Sequence, residues 1–270
     1  MYICKEIGIG FSWRTNTIKF RLSLARVVRF LIYLITLSFF NFFYLCLYHK
    51  IKTMDIIKEL RYGNLNMESL PYVSKETFFT KYFDMFANTP YSNLKETKED
   101  IETIIDGQAE YMQRPNWRKY KKFMELADKD IHALFETEMK KIGVEYNGDF
   151  LEDIQEELGC LVMMLKQHYN RPRPYQVGYY TKQMIHNFNT ISGNTPAYPS
   201  GHACQSRFLM KVVAFHNPSK REQLKELADK VAYSRIVLGV HYPRDNQFGF
   251  QIADKLASLP EVREMFFKKR

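Results

Sequence analysis

The stretch DFLEDIQEELGCLVMMLKQHYNRPRP, residues 149–174, decides the fold class. Leu151, Ile154, Leu158, Leu161, Val162 and Leu165 recur at steps of three and four. That spacing gathers them on one face and predicts a core-facing helix over 149–169. NRPRP ends it, because proline disfavours helical backbone at the preceding residue. The same periodicity extends both ways. Helices are predicted over 74–87, with Phe78, Phe79, Tyr82, Phe83 and Phe86 at helical spacing and Ser74 as N-cap, and over 95–112. Residues 117–142 read as one long or two short helices. Further helices are expected over 202–215, 219–239 and 246–258, the second with Leu224, Leu227, Val231 and Ile236 on its apolar stripe. Residues 175–200 contain Gly178, Asn187, Asn189, Gly193, Asn194 and Pro196 and read as a loop. Ordered loops of that length usually carry function. No alternating β-pattern persists, so the expected fold is all-α, a helical bundle.

The formal net charge of +9 is unevenly spread. Residues 1–53 hold eight Lys and Arg against one acid, Glu6, for a net +7, leaving +2 for the other 217 residues. Within that tail, FLIYLITLSFFNFFYLCLY, residues 30–48, has no charge. A run of this length spans a bilayer as a helix. It is long for a signal-peptide core, and no small-residue cleavage site follows. Six Lys and Arg precede it, which places the N-terminus in the cytoplasm of a single-pass protein. The competing reading starts translation at MDIIKELRYG, from Met54, and gives a protein with no anchor. Three parts are expected: the tail and span (1–53), an N-terminal helical part (54–148) and a core (149–270) forming one globular domain with 54–148. Cys4, Cys46, Cys160 and Cys204 make no C-x-x-C pair, and the last two read as small buried hydrophobes.

Three short segments carry chemistry together. They are Lys166-QHYNRP-Arg173-Pro174, Pro199-Ser200-Gly201-His202 and Ser234-Arg235-IVLGV-His241-YPR-Asp245. A phosphoryl group in transfer needs positive charge around its oxygens. Lys166, Arg173 and Arg235 supply it, the arginines through a planar fork that matches two oxygens. Ser200 and Gly201 open a helix, where backbone N–H groups seat anions. His241 lies four residues before Asp245, close enough for the carboxylate to fix the imidazole tautomer and free the other nitrogen for attack. His202 is placed to protonate a leaving alkoxide. Singly, each has a plainer reading. Lys166 is a helix-end cation, Arg171 and Arg173 a basic loop, and Arg235 a snorkelling residue. Ser200 and Asp245 are N-caps, His202 a polar first-turn residue and His241 a core histidine.

Taken in order, K-x6-RP, PSGH and SR-x5-H-x3-D resemble the signature of the type 2 phosphatidic acid phosphatase (PAP2) superfamily. The likeness covers residues 149–259 and leaves 54–148 unmatched. It implies a bundle with a core of about six helices and a site without a metal or other cofactor. Lys166, Arg173, Ser200, Gly201 and Arg235 would hold phosphate. His241 would form a phosphohistidine, Asp245 would orient it, and His202 would serve as acid and then base. The implied activity is that of a metal-independent acid phosphatase hydrolysing phosphate monoesters, on a phosphorylated small molecule or a lipid phosphate. Within the family the soluble acid phosphatases look nearest, because no apolar run beyond residue 54 reaches membrane length. Two alternatives stand beside it: a vanadium-dependent haloperoxidase with vanadate in the same pocket, and a membrane-tethered binding protein with an inert site.

RPNWRKYKK, residues 114–122, interleaves basic and aromatic side chains. With the body so near neutrality it reads as a solvated helix face, and no nucleic-acid partner is expected. His49, His132, His168, His186 and His216 show no metal-ligand spacing. Tyr175, Tyr179, Tyr180 and Phe188 are candidates to line the entrance to the pocket.

Overall fold

The computed structural model describes residues 24–65, 67–186, 188 and 190–268. It is 74% helical, with no strand among the described residues, so the chain is all-α. The chain divides between Asp55 and Ile56 into two units. Helix α1, Leu24–Glu59, begins in the first. Its stretch Val28–Glu59 is long and apolar enough to cross a membrane by length and composition, with a mean hydropathy of 2.0. The expected span at 30–48 lies inside it. Lys5, Arg14, Lys19 and Arg21, counted above as flanking charges, lie outside the described residues, as do Cys4, Asn187 and Asn189.

The unit Ile56–Arg270 is built from α2 (Leu70–Ser74), α3 (Phe83–Phe86), α4 (Leu94–Gln113), α5 (Trp117–Lys129), α6 (Ile131–Lys141), α7 (Gly148–Tyr169), α8 (Pro174–Thr181), α9 (Gly201–His216), α10 (Arg221–Val237), α11 (Pro243–Ser258) and α12 (Pro260–Phe266). Helix α9 is the axis. It packs against α7, α10 and α11, and buries Ala203, Cys204, Phe208, Leu209 and Val212. The apolar stripe of residues 151–165 faces this core: Ile154, Leu158, Leu161 and Leu165 are fully buried on α7. Helices α4 and α5 close the other side against α10. Cys160 and Cys204 are buried and unpaired.

Three expectations need correction, and one left open is decided. Residues 74–87 do not form one helix. Ser74 ends α2 instead of capping a helix, its hydroxyl donating to the Pro71 carbonyl, and a 3-10 turn, Thr80–Tyr82, leads into α3. The aromatic spacing there serves a cluster: Phe79 stacks on Phe266 at 4.9 Å and meets Phe208 edge-on at 5.3 Å. Packing of rings thus overrode helical continuity. Residues 117–142, left open between one helix and two, form two, because Asp130 leaves helical geometry and caps α6 through the Ala133 N–H. Residues 175–200 are not all loop, since α8 starts at Pro174. Gly178 looked like a breaker, yet it sits inside α8, where its missing Cβ lets the Gln183 carbonyl approach. Finally, α11 begins at Pro243, so Asp245 lies in its first turn and not at the N-cap.

One close approach fixes where the PSGH segment sits. A Cβ on Gly249 of α11 would stand 2.6 Å from the Ser200 carbonyl oxygen and 3.0 Å from the Cys204 nitrogen. Both are backbone atoms, so neither yields cheaply. Tyr198, just before, is stacked on Phe248 at 4.6 Å and meets Tyr169 edge-on at 4.9 Å. Gly249→Ala should therefore cost about 1–3 kcal/mol by overpacking. In a thermal melt of the full chain followed by circular dichroism, that appears as a midpoint lower by about 3–10 °C. An unchanged midpoint would contradict this packing.

Candidate active site

Each expected residue is placed by a distinct local device. Lys166 lies in the last turn of α7, 4% exposed. Asn170 then takes the left-handed conformation, φ 47°, and turns the chain. Arg171 and Arg173 follow and are both buried. Ser200 caps α9, its Oγ accepting from the Ala203 N–H. Arg235 is in the last turn of α10 and fully buried. Gly239, φ 71°, turns the chain there while the His186 carbonyl crowds the space a Cβ would need. His241 and Asp245 come next, both buried.

His241 sits between an acid and a base. Its Nδ1 is 3.3 Å from Asp245 Oδ2, and its Nε2 is 3.0 Å from Arg173 Nη1. A guanidinium only donates. Nε2 must then carry the lone pair, and Nδ1 the proton that it donates to Asp245. Burial, and then Arg173, Lys166 and Arg235, pull the imidazole well below its ordinary range. The ring is neutral, with a free electron pair on the side facing the cations.

Asp245 is held from behind. Its Oδ1 accepts from Arg171 Nη1 at 2.5 Å and its Oδ2 from the Tyr242 N–H at 2.9 Å. Burial pushes the carboxyl up, while Arg171, the Tyr242 N–H and Lys166 act against that. Every neighbour bonded to its oxygens is a donor, which is the environment of a carboxylate.

The three cations are arranged around segments distant in sequence. Lys166 Nζ donates to the Pro196 carbonyl at 2.5 Å. Arg173 donates to the carbonyls of Thr195, Ser192 and Val240 and to Thr195 Oγ1. Arg235 Nη2 donates to Asp128 Oδ1 at 2.8 Å and to Ser192 Oγ at 2.6 Å. Arg235 Nε and Nη1 are buried with no partner. Such orphaned cationic donors are costly unless an anion meets them. Burial lowers the pKa of all three cations, Arg173 to about 10.

His202 keeps a partly exposed edge in the first turn of α9. Burial and then Arg235 hold its pKa well below the ordinary imidazole range, with Asp128 and the Ala127 carbonyl opposing. The Ser200 N–H is committed to the Asp245 carbonyl at 3.1 Å. That amide is therefore not available to an anion, and the amides that open α9 are those of Gly201 and His202. Ser234 faces away, its hydroxyl bonded to the Val231 carbonyl. His168 also turns away, to the Ala87 carbonyl. Of the suggested entrance residues, Tyr179 is 80% exposed, whereas Tyr180 and Phe188 pack in side clusters. Among the described residues no three His, Cys, Asp or Glu side chains gather as a metal site would require.

Sequence reading missed Asp128, Ser192, Thr195 and Arg171. Asp128 lies 107 positions before the arginine it pairs with. No local signal marks it, because it reads as one more charge on an amphipathic helix. Arg171 stood inside a matched segment but read as a loop cation.

A tetrahedral dianion beside His202 would offset the cations that hold its pKa down. The pKa then rises on binding, so the complex takes up protons, and by linkage affinity strengthens as pH falls. Sulfate tests this cleanly because it does not titrate between about pH 6 and about pH 8. Calorimetry in buffers of different ionisation enthalpy should show net proton uptake in the wild type and none in His202→Gln. Heats independent of buffer would contradict the assignment.

The family model of the PAP2 superfamily matches residues 158–257, a segment that contains Lys166, Arg173, Ser200, Gly201, His202, Arg235, His241 and Asp245. The match speaks for the superfamily and singles out no branch of it. No curated protein matches the chain. Residues 158–257, and the helical site they build, are thus similar to the PAP2 superfamily.

Proposed function

We propose that this chain is a metal-independent phosphatase that hydrolyses phosphate monoesters through a phosphohistidine at His241. The observation that carries the reading is the placement of His241, with Nδ1 against Asp245 and a lone pair on Nε2 turned to the cations. Such a nucleophile needs no proton removed before it attacks.

Substrate oxygens would take the place of Nε2 as acceptor for Arg173, and would also meet Lys166, the orphaned donors of Arg235 and the first amides of α9. Nε2 attacks phosphorus in line with the leaving oxygen. As the N–P bond forms and the P–O bond breaks, charge on the equatorial oxygens is matched by fixed donors. Asp245 stabilises the positive charge that develops on the ring. His202, protonated once the dianion is bound, gives its proton to the leaving alkoxide. It then removes a proton from water, whose oxygen attacks phosphorus and releases His241 and inorganic phosphate. Because His241 resists protonation, the nucleophile stays competent at mildly acidic pH, which supports the acid phosphatase reading.

The apolar stretch in α1 supports a single-pass anchor with the N-terminus in the cytoplasm. A phosphorylated small molecule or a lipid phosphate is the proposed substrate class.

Purified full-length protein should hydrolyse p-nitrophenyl phosphate, resist EDTA and be inhibited by vanadate. His241→Ala should lose about 10³-fold or more in kcat, as removal of a nucleophile does. His202→Ala should lose about 10²–10⁴-fold, less for a phenolate leaving group that needs little protonation. Full activity in His241→Ala, or loss of activity to chelator, would overturn the mechanism. Bromide oxidation by peroxide after vanadate loading would favour the haloperoxidase alternative, and an inert wild type the binding-protein one.

A further inference from the structure

We propose that Arg171 is a positioning residue for the His241–Asp245 pair, and that Asp100 of α4 holds Arg171 in place. The inference rests on the reading of His241 as nucleophile and extends the machinery outside residues 158–257.

Arg171 is 1% exposed, and it is the one donor bonded to Asp245 Oδ1 among the described residues. The carboxylate is fully buried. Its other oxygen serves His241 Nδ1 and the Tyr242 N–H. Arg171 lies over the Tyr242 ring, 3.8 Å from its centroid, with Tyr91 at 5.3 Å and Tyr198 at 6.0 Å. Its Nη2 reaches Thr97 Oγ1 at 3.4 Å and Asp100 Oδ2 at 3.7 Å. Asp100, 3% exposed, also accepts from Arg244 Nη1 at 2.7 Å and Ser92 Oγ at 3.3 Å. Arg244 continues to Glu99 at the surface.

Charges thus alternate in a line from the site outward: Asp245, Arg171, Asp100, Arg244, Glu99. The charges of Lys166 and Arg173 also favour the Asp245 carboxylate. The consequence concerns the tautomer. Without the Arg171 guanidinium, burial favours the protonated carboxyl at Asp245. A carboxylic acid that donates to Nδ1 sends the ring proton to Nε2, against the Arg173 donor; either that contact or the tautomer is given up, and the lone pair poised to attack phosphorus is lost. Replacing Arg171 should therefore cost turnover while leaving the anion seat intact. The loss should be relieved at higher pH, where Asp245 ionises again. A cavity of about 200 Å³ lined by Arg171, Pro172, Tyr91, Thr97, Tyr242 and Lys58 adjoins the guanidinium, so a small cation can replace it.

The test uses full-length wild type, Arg171→Gln, Arg171→Lys and Asp100→Asn with p-nitrophenyl phosphate across pH. Arg171→Gln should lower kcat about 10–100-fold, as loss of an orienting partner does, with KM and vanadate inhibition within about 3-fold of wild type. Its acidic limb should move to higher pH, and added guanidinium chloride should restore part of its kcat, with no such rescue in His241→Ala. Arg171→Lys and Asp100→Asn should show the same pattern more weakly, and they carry the test if the glutamine variant does not fold. Wild-type kcat and pH profile in the variants would overturn the proposal. So would a KM that rises in step with the fall in kcat, with no guanidinium rescue. If the wild type hydrolyses nothing, the phosphatase reading fails and the pairing is judged by nitrogen-15 shifts of His241. Nδ1 protonated in the wild type and not in Arg171→Gln supports it, and equal shifts overturn it.

Discussion

Three cations buried around one point constrain the rest of this structure. Lys166, Arg173 and Arg235 lose their water and repel one another, so each must find oxygen from the protein. The partners come from far along the chain. Residues 192–196 lend carbonyls and hydroxyls to all three. Helix α5 lends Asp128, and the turn after α10 lends the Val240 carbonyl. Satisfying the cations therefore ties the long α8–α9 connection and α5 to the helices that bear the motifs. What is left over, Nε and Nη1 of Arg235 with no acceptor, is where the proposed function seats an anion.

The same logic holds behind the site. In the proposed mechanism His241 acts as a neutral ring with its proton on Nδ1, and that requires Asp245 to remain charged where burial opposes it. Arg171 answers Asp245, Asp100 answers Arg171, and Arg244 answers Asp100. Asp100 shows the tension in this line. Burial pushes its carboxyl up to about 6 despite two arginines that hold it down. Alternation of sign lets a buried charge be supported from the surface without opening the pocket to water.

Much of this was legible in residue order. The stripe from Leu151 to Leu165 showed a core helix, and it is buried as its period requires. Three motifs in sequence named eight candidate residues for phosphoryl chemistry, and the fold buries seven of them, all but His202. What escaped was information that spacing does not carry. Asp128 and Asp100 look like solvated helix charges until the tertiary fold sets an arginine beside them. Arg171 looks like its neighbour Arg173, and only burial against the ring of Tyr242 distinguishes its task. Helix α8 is eight residues long with little apolar stripe, so its glycine read as a break. Residues 74–87 failed in the opposite way, since a true helical period was spent on an aromatic cluster.

The central claim is covalent: phosphorus passes through Nε2 of His241. Rapid quench of the full-length protein with a labelled phosphomonoester, followed by proteolysis at alkaline pH, tests it most directly. The expected label survives alkali and is lost in mild acid, as a phosphoramidate is. That label should map to the peptide bearing His241, be absent from His241→Ala and accumulate in a His202 variant slow to activate water. Label on another residue, or turnover with none at any time, would contradict it.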